Sequence, residues 1–211
     1  MVIRGGFTLF ATDAYTYLRE RIMQPRVVVM WLCVLTGILL TTIPPVTQWP
    51  WLAITSAMFI LTFRLWDDLA DLTYDQANYP DRCLVRSTHQ QAFRALLWLL
   101  LIGLTTLIFF VAGSGRALVF IAILVAFLCI YTLPAMRPDL RVIRTALVLI
   151  KYPAIIVLLT DMPSDRIVPI VAIGLYLLPL TDEVRSAGTG VLMPAAAFMG
   201  IAILAWVVLT T

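Results

Sequence analysis

Residues Arg64 to Arg82 read R-L-W-D-D-L-A-D-L-T-Y-D-Q-A-N-Y-P-D-R, with five aspartates in the fifteen positions from Asp67 to Asp81. On a helix advancing about 100° per residue, Arg64, Asp68, Asp71 and Asp75 fall within roughly 60° of one another. Three carboxylates spaced i, i+3 and i+7 repel each other unless a cation lies among them. Oxygen donors in that pattern suit Mg²⁺, which keeps several waters and takes substrate phosphate oxygens as further ligands. Two readings follow. One is a solvated acidic turn at a membrane surface; the other is a Mg²⁺–diphosphate site. Arg64 shares the face and either pairs with Asp68 at i, i+4 or holds phosphate.

The elements that must position this segment are membrane helices. Hydrophobic residues make up 62% of the chain and charged ones 13%, against roughly 45–50% and about 25% in soluble domains. The mean hydropathy of +0.97 points the same way. Counted in stretches of about 20 apolar residues, the chain is expected to be all-α. It reads as one polytopic domain over 1–211 with seven spans, near 27–46, 48–66, 93–112, 117–136, 143–160, 167–181 and 191–211. Residues 1–26 lack the apolar core of a signal peptide and are expected to form an amphipathic segment at the cytoplasmic surface.

Arginine placement sets the expected orientation. With alternating spans, twelve of the fourteen arginines fall on one side, leaving Arg116 and Arg166 on the other. The positive-inside rule puts the N-terminus and the aspartate segment, with its candidate site, in the cytoplasm, and the chain is expected to be a multi-pass protein of the cell membrane. The net charge of +3 follows from this topology and gives no reason to expect nucleic acid as a partner.

Other chemistries find little support. Cys33, Cys83 and Cys129 show no C-x-x-C spacing, so neither a zinc site nor a disulfide is implied. His89 is the sole histidine, which disfavours a His-based metal centre or a Ser-His triad. Lys151 lies inside an expected span, and an ionisable residue there is a functional candidate by default. It would reach a phosphate or pair with Asp182 or Glu183.

Asp67-Asp68-x-x-Asp71-x-x-x-Asp75 resembles the N-D-x-x-D-x-x-x-D signature of the UbiA superfamily of intramembrane prenyltransferases, with Asp67 at the usual asparagine. The position, at the cytoplasmic end of the second span, agrees. N-Y-P-D-R-C-L resembles the family stretch ending Arg-Pro, with Arg82 as the arginine and Cys83 replacing the proline. Y-T-L-P-A-M-R resembles the tyrosine-then-basic segment, making Tyr131 and Arg137 candidates near the diphosphate. The resemblance implies a Mg²⁺ cofactor held by Asp67, Asp68, Asp71 and Asp75. It also implies a prenyl diphosphate held by Arg64, Arg82, Tyr131, Arg137 and Lys151, with Asp68, Asp71, Asp75 and Arg82 as the catalytic set. The transferred prenyl group would pass to a small acceptor, aromatic ones among the candidates, inside an apolar bundle contacting membrane lipid.

The departures are specific. The family's nine helices compare with seven expected here. Arg185 to Pro194 resembles the tail of the family's second aspartate-rich segment, but the aspartates fall at Leu177, Leu180 and Val184, leaving Asp182 and Glu183 out of register. Three further readings stay open: a UbiA-type terpene cyclase, a non-catalytic isoprenoid-binding or partner subunit, and a small cation carrier. Trp66, Tyr74 and Tyr131 are candidates to steady an allylic cation, or residues of the interfacial aromatic belt.

Overall fold

The computed structural model of the protein describes residues 3–42, 44–132, 144–145, 147–159 and 167–187. Its described elements are helices, with no strand among the described residues. α1 (Ile3–Tyr17) runs into a π-helical turn (Leu18–Ile22), and α2 (Pro25–Thr42) follows. After a short 3-10 turn come α3 (Trp49–Ala70), α4 (Leu72–Asn78) and the single turn α5 (Cys83–Arg86). The remaining helices are α6 (Gln90–Ala112), α7 (Ser114–Tyr131), α8 (Lys151–Leu159) and α9 (Ile167–Ala187).

Among the described residues, three helical stretches are long and apolar enough to cross a membrane: Val46–Ala70, Gln90–Ala112 and Ser114–Tyr131. A fourth is reached if Leu9–Ile22 and Pro25–Thr41, bent by 71°, count as one broken span. The fifth and sixth expected spans correspond, among the described residues, to the apolar stretches Leu147–Leu159 and Ile170–Thr181, the second lying within the longer α9. The seventh, 191–211, lies outside the described residues. Among the described residues the structure is thus all-helical, with three or four membrane-length helices.

α3 is the hub, packed against α2 and α6, while α7 lies on α6 and α9 packs on α8 and α2. α6 buries Phe93, Leu97, Leu101, Leu104 and Ile108, a stripe at the three-and-four spacing of one helix face. Its other face leaves Trp98, Leu99, Ile102 and Phe110 exposed, as a lipid-facing surface requires. Inside, Phe59 meets Phe63 at 4.5 Å and Phe120 at 6.3 Å, and Phe63 meets Phe127 at 5.3 Å. Apolar burial gives no advantage over lipid tails, so close packing and internal hydrogen bonds hold such helices together. Trp31 Nε1 donates to Ser56 Oγ at 3.0 Å, joining α2 to α3. At Gly37 a Cβ would lie 2.8 Å from Val171 Cγ1 and 3.2 Å from Ile156 Cδ1, so glycine lets α2 approach α8 and α9 closely. The α6–α7 turn needs Gly113, whose φ is +89°.

Two expectations are refined. The aspartate segment is not one straight helix: Asp71 (φ −92°, ψ 7°) ends α3 and starts α4. Backbone bonds still run from Asp71 N to Asp67 O and from Asp75 N to Asp71 O, so the helix bends there without breaking its ladder. The N-terminal segment is helical, as its amphipathic pattern suggests, but it is docked on the bundle. Phe10 and Tyr17 pack on Phe93 at 5.3 and 5.6 Å, and Tyr17 is buried.

Candidate functional site: a charged cluster at the end of α3

The bend at Asp71 lets four carboxylates fan outward, and each meets a cation from a different part of the chain. Asp68 accepts from Arg21 Nε at 3.0 Å and from Tyr17 OH at 2.9 Å on Oδ2, while Arg21 Nη2 bonds Oδ1. Asp75 is bonded by Arg82, whose guanidinium also sits 4.0 Å over the Tyr79 ring. Asp71 accepts from Arg144 Nη1 at 2.7 Å. Asp67 accepts from both Lys151 Nζ and Tyr131 OH.

Burial makes these contacts consequential. Asp68, Asp75, Arg144 and Lys151 are all buried, Lys151 to 2% exposure. An uncompensated charge at such a position costs several kcal/mol, on the order of 3–5 when one partner is removed. Four acids are met by five cations, and the fifth is Arg64. Its Nε lies 3.8 Å from Asp68 Oδ2, an ion-pair distance without a hydrogen bond. That Nε is buried and has no hydrogen-bond partner. The i, i+4 pairing of Arg64 with Asp68 is therefore electrostatic only, because Arg21 and Tyr17 already occupy the oxygen it faces.

The metal expectation meets this arrangement directly. Among the described residues, no three Asp, Glu, His or Cys side chains converge as ligands of one ion would. Asp67, Asp68, Asp71 and Asp75 have the hard oxygens Mg²⁺ takes, but each points to its own cation. The donor types fit Mg²⁺ and their placement does not, so no chemical step below passes through a metal. The charge repulsion read from the i, i+3, i+7 spacing is relieved by protein cations.

Most of the residues expected at the site are brought together: Arg64, Asp67, Asp68, Asp71, Asp75, Arg82, Tyr131 and Lys151. Lys151, for which a phosphate or an ion pair with Asp182 or Glu183 was considered, takes Asp67 as its partner. The side chains of Asp182 and Glu183, and all of Arg137, lie outside the described residues. Tyr17, Arg21 and Arg144 were not anticipated. Arg144 was legible, since it falls within the expected span 143–160 and meets the same intramembrane-charge criterion that singled out Lys151. Nothing in the local sequence pairs Arg21 with Asp68, because 47 positions separate them.

Apolar structure adjoins the cluster. Trp66 lies 4.9 Å from Tyr131 and 5.8 Å from Phe63, so Trp66 and Tyr131 belong to one aromatic file. Tyr74 pairs with Tyr79 at 6.4 Å, away from it. Trp66 also lines a groove of about 360 Å³ with Trp98, Leu101, Leu124 and Leu128. Along α6 and α7 this groove meets a second of about 420 Å³, the two sharing Thr105, Thr106 and Ile121.

A second polar set excludes itself from nucleophilic chemistry. Ser87 Oγ donates to Asp13 Oδ2 at 2.5 Å, and His89 Nδ1 meets the same oxygen at 3.1 Å. Serine and histidine both converge on the acid, so histidine is not placed to take the serine proton. These bonds, Ser87 first and then His89, hold the Asp13 carboxyl below its usual 3.8. Burial, with Glu20 and Asp13 nearby, pushes the Cys83 thiol up to about 11, which keeps it protonated and a poor nucleophile.

No family model, curated protein or solved structure matches the chain. The functional reading therefore rests on these residues.

Proposed function

We propose that the chain is an intramembrane prenyltransferase that binds a prenyl diphosphate at the charged cluster and transfers the prenyl group to a small acceptor. The observation that carries this reading is the set of five cations, Arg21, Arg64, Arg82, Arg144 and Lys151, gathered around four acids beside the Trp66 groove. Guanidinium groups bind phosphate oxygens through paired donors, and Arg64 Nε has a donor to spare. The acids fix the cations in place before substrate arrives, so less ordering remains to be done on binding.

In the reaction, the allylic C–O bond breaks and its electron pair leaves with the diphosphate. Cations already in place stabilise that charge as it develops. The allylic carbon then bonds to the acceptor, whose displaced proton passes to the released diphosphate. Trp66 and Tyr131 offer ring faces to the cationic carbon, and the apolar groove takes the tail away from water. The reaction is written without a metal, and the dependence of turnover on added Mg²⁺ is an arm of the test. The proposed setting is the cell membrane, with the cluster facing the cytoplasm.

A non-catalytic isoprenoid-binding or partner subunit is the second reading, favoured by one observation. Every acid of the cluster already has a cation, so the acidic face does not repel itself and need not exist for a metal. Membranes carrying the protein should be incubated with prenyl diphosphates of several lengths, with and without Mg²⁺, and the products identified by mass spectrometry. Pyrophosphate release with a prenylated acceptor supports the transferase, and release with a cyclic hydrocarbon or alcohol supports the cyclase. Binding of a thio-diphosphate analogue without turnover in any lane leaves the binding subunit. Arg64→Gln and Arg82→Gln should each weaken that binding about tenfold, roughly 1.4 kcal/mol. Unchanged affinity in both would remove the cluster from the binding site.

A further inference from the structure

Asp68 is closed off from any ligand in this structure, and one segment closes it. Arg21 covers both carboxylate oxygens, and Tyr17 adds a third bond. Both residues belong to the N-terminal arm, α1 and the π-helical turn, whose direction differs from that of α2 by 71°. The joint is at Met23 and Gln24, where Pro25 supplies no amide to carry the helix through. A π-helical turn is rare and concentrates at functional sites.

The arm is held down by polar fastenings outside the cluster as well as by Phe10 and Tyr17 on Phe93. Asp13 takes Ser87 and His89, and Glu20 Oε2 accepts from Cys83 N at 3.0 Å. Cys83 follows directly on Arg82, the partner of Asp75, and Ser87 lies one short helix further on, just after α5. The arm is thus latched to the segment that supplies a second cation of the cluster.

We propose that the N-terminal arm is a lid over the charged cluster, hinged at residues 23–24, which opens to admit an anionic diphosphate headgroup. Shut, it satisfies Asp68 with Arg21. Open, it leaves Arg64 and Asp68 accessible, and Arg21 exchanges the carboxylate for phosphate oxygens when the lid closes on the ligand. The ligand rests on the function proposed above; the hinged motion does not.

Hydrogen exchange read by mass spectrometry on the full chain in lipid nanodiscs tests this, with inorganic pyrophosphate as the probe. Asp13→Asn and Glu20→Gln loosen the latch without touching the cluster. Each should raise exchange across residues 9–22 about tenfold, leaving α3 and α6 unchanged, and should tighten pyrophosphate binding several-fold. Pyrophosphate added to the unaltered protein should change exchange in 9–22 more than in α6. An arm that exchanges as slowly as α6 in all three proteins, with or without pyrophosphate, is a fixed strut, and the lid is wrong. A loosened arm with no pyrophosphate binding refutes the headgroup reading and the exchange of Arg21, while the hinge stands.

Discussion

Lys151 is the most buried cation of the cluster, and its partner Asp67 occupies the position where the resembling family carries asparagine. A lysine on α8 and an extra acid on α3 satisfy each other, and Tyr131 from α7 completes the set. This casts Asp67 as a counter-ion joining three helices. Lys151→Met alone should then cost about 3 kcal/mol, because it strands a partly buried carboxylate, and Asp67→Asn alone should also destabilise. The double variant should recover a large part of the summed loss, a coupling on the order of 1–3 kcal/mol in thermal or denaturant unfolding. Strict additivity would deny the pairing. The residue types of the site were legible because aspartates, arginines and an intramembrane lysine are rare in so apolar a chain. Their partners were not: Asp68–Arg21 and Asp71–Arg144 join residues 47 and 73 positions apart. Helical periodicity describes neighbours on one face and is silent about which distant cation that face will meet.

On the scale of elements, the N-terminal arm is the piece whose role changed most between sequence and structure. Its amphipathic pattern suggested a helix at the membrane surface; in the fold its residues Phe10 and Tyr17 cover Phe93 and Asp13 faces Ser87 and His89, while Leu9, Tyr15 and Met23 stay exposed. A hydrophobic face specifies burial without saying in what. The latch has a definite pH signature. The folded pKa of Asp13 is depressed below 3.8, so its contribution is complete above the unfolded value and is lost as pH falls through the folded one. Protection of residues 9–22 from hydrogen exchange, corrected for intrinsic rates, should not weaken between about pH 7 and about pH 5 and should fall below about pH 4. Asp13→Asn should remove that acid step. Loss of protection already near neutral pH would mean that another group governs docking. Elsewhere, α6 and α7 lie close to where their hydropathy put them, since a long apolar run with a Gly-containing turn admits few alternatives. The bend at Asp71 was illegible because no proline or glycine marks it.

For the whole molecule, the distribution of charge across the bilayer remains the strongest constraint. The described helices supply three or four membrane-length stretches and two shorter apolar ones, and the cluster gathers at the end of α3 that also receives the N-terminal arm. Arg19, Arg26, Arg86 and Arg94 are exposed around that same end, on the arm, the start of α2, α5 and the start of α6. Arg116 lies at the opposite end of α6 and α7, where it reaches Leu158 O at 3.5 Å. The α6–α7 hairpin therefore carries more arginines at the cluster's end than at its turn, the bias from which a cytoplasmic cluster is expected. A reporter inserted near His89 should behave as cytoplasmic, and one placed beside Gly113 as external. Fused after Thr211, the reporter tests the seven-span count, which requires an external signal. A cytoplasmic signal there would mean an even number of crossings, and Ile170–Thr181 is then the first helix to reassign. Those twelve residues lie within α9, whose 21 residues reach about 32 Å at about 1.5 Å each, close to a hydrocarbon core about 30 Å thick. It is the first to doubt because Pro179 interrupts it and Asp182, Glu183 and Arg185 follow in its last turns. A cytoplasmic signal beside Gly113 would be the graver result, because it would invert or unseat the α6–α7 hairpin and remove the topological basis for a cytoplasmic cluster.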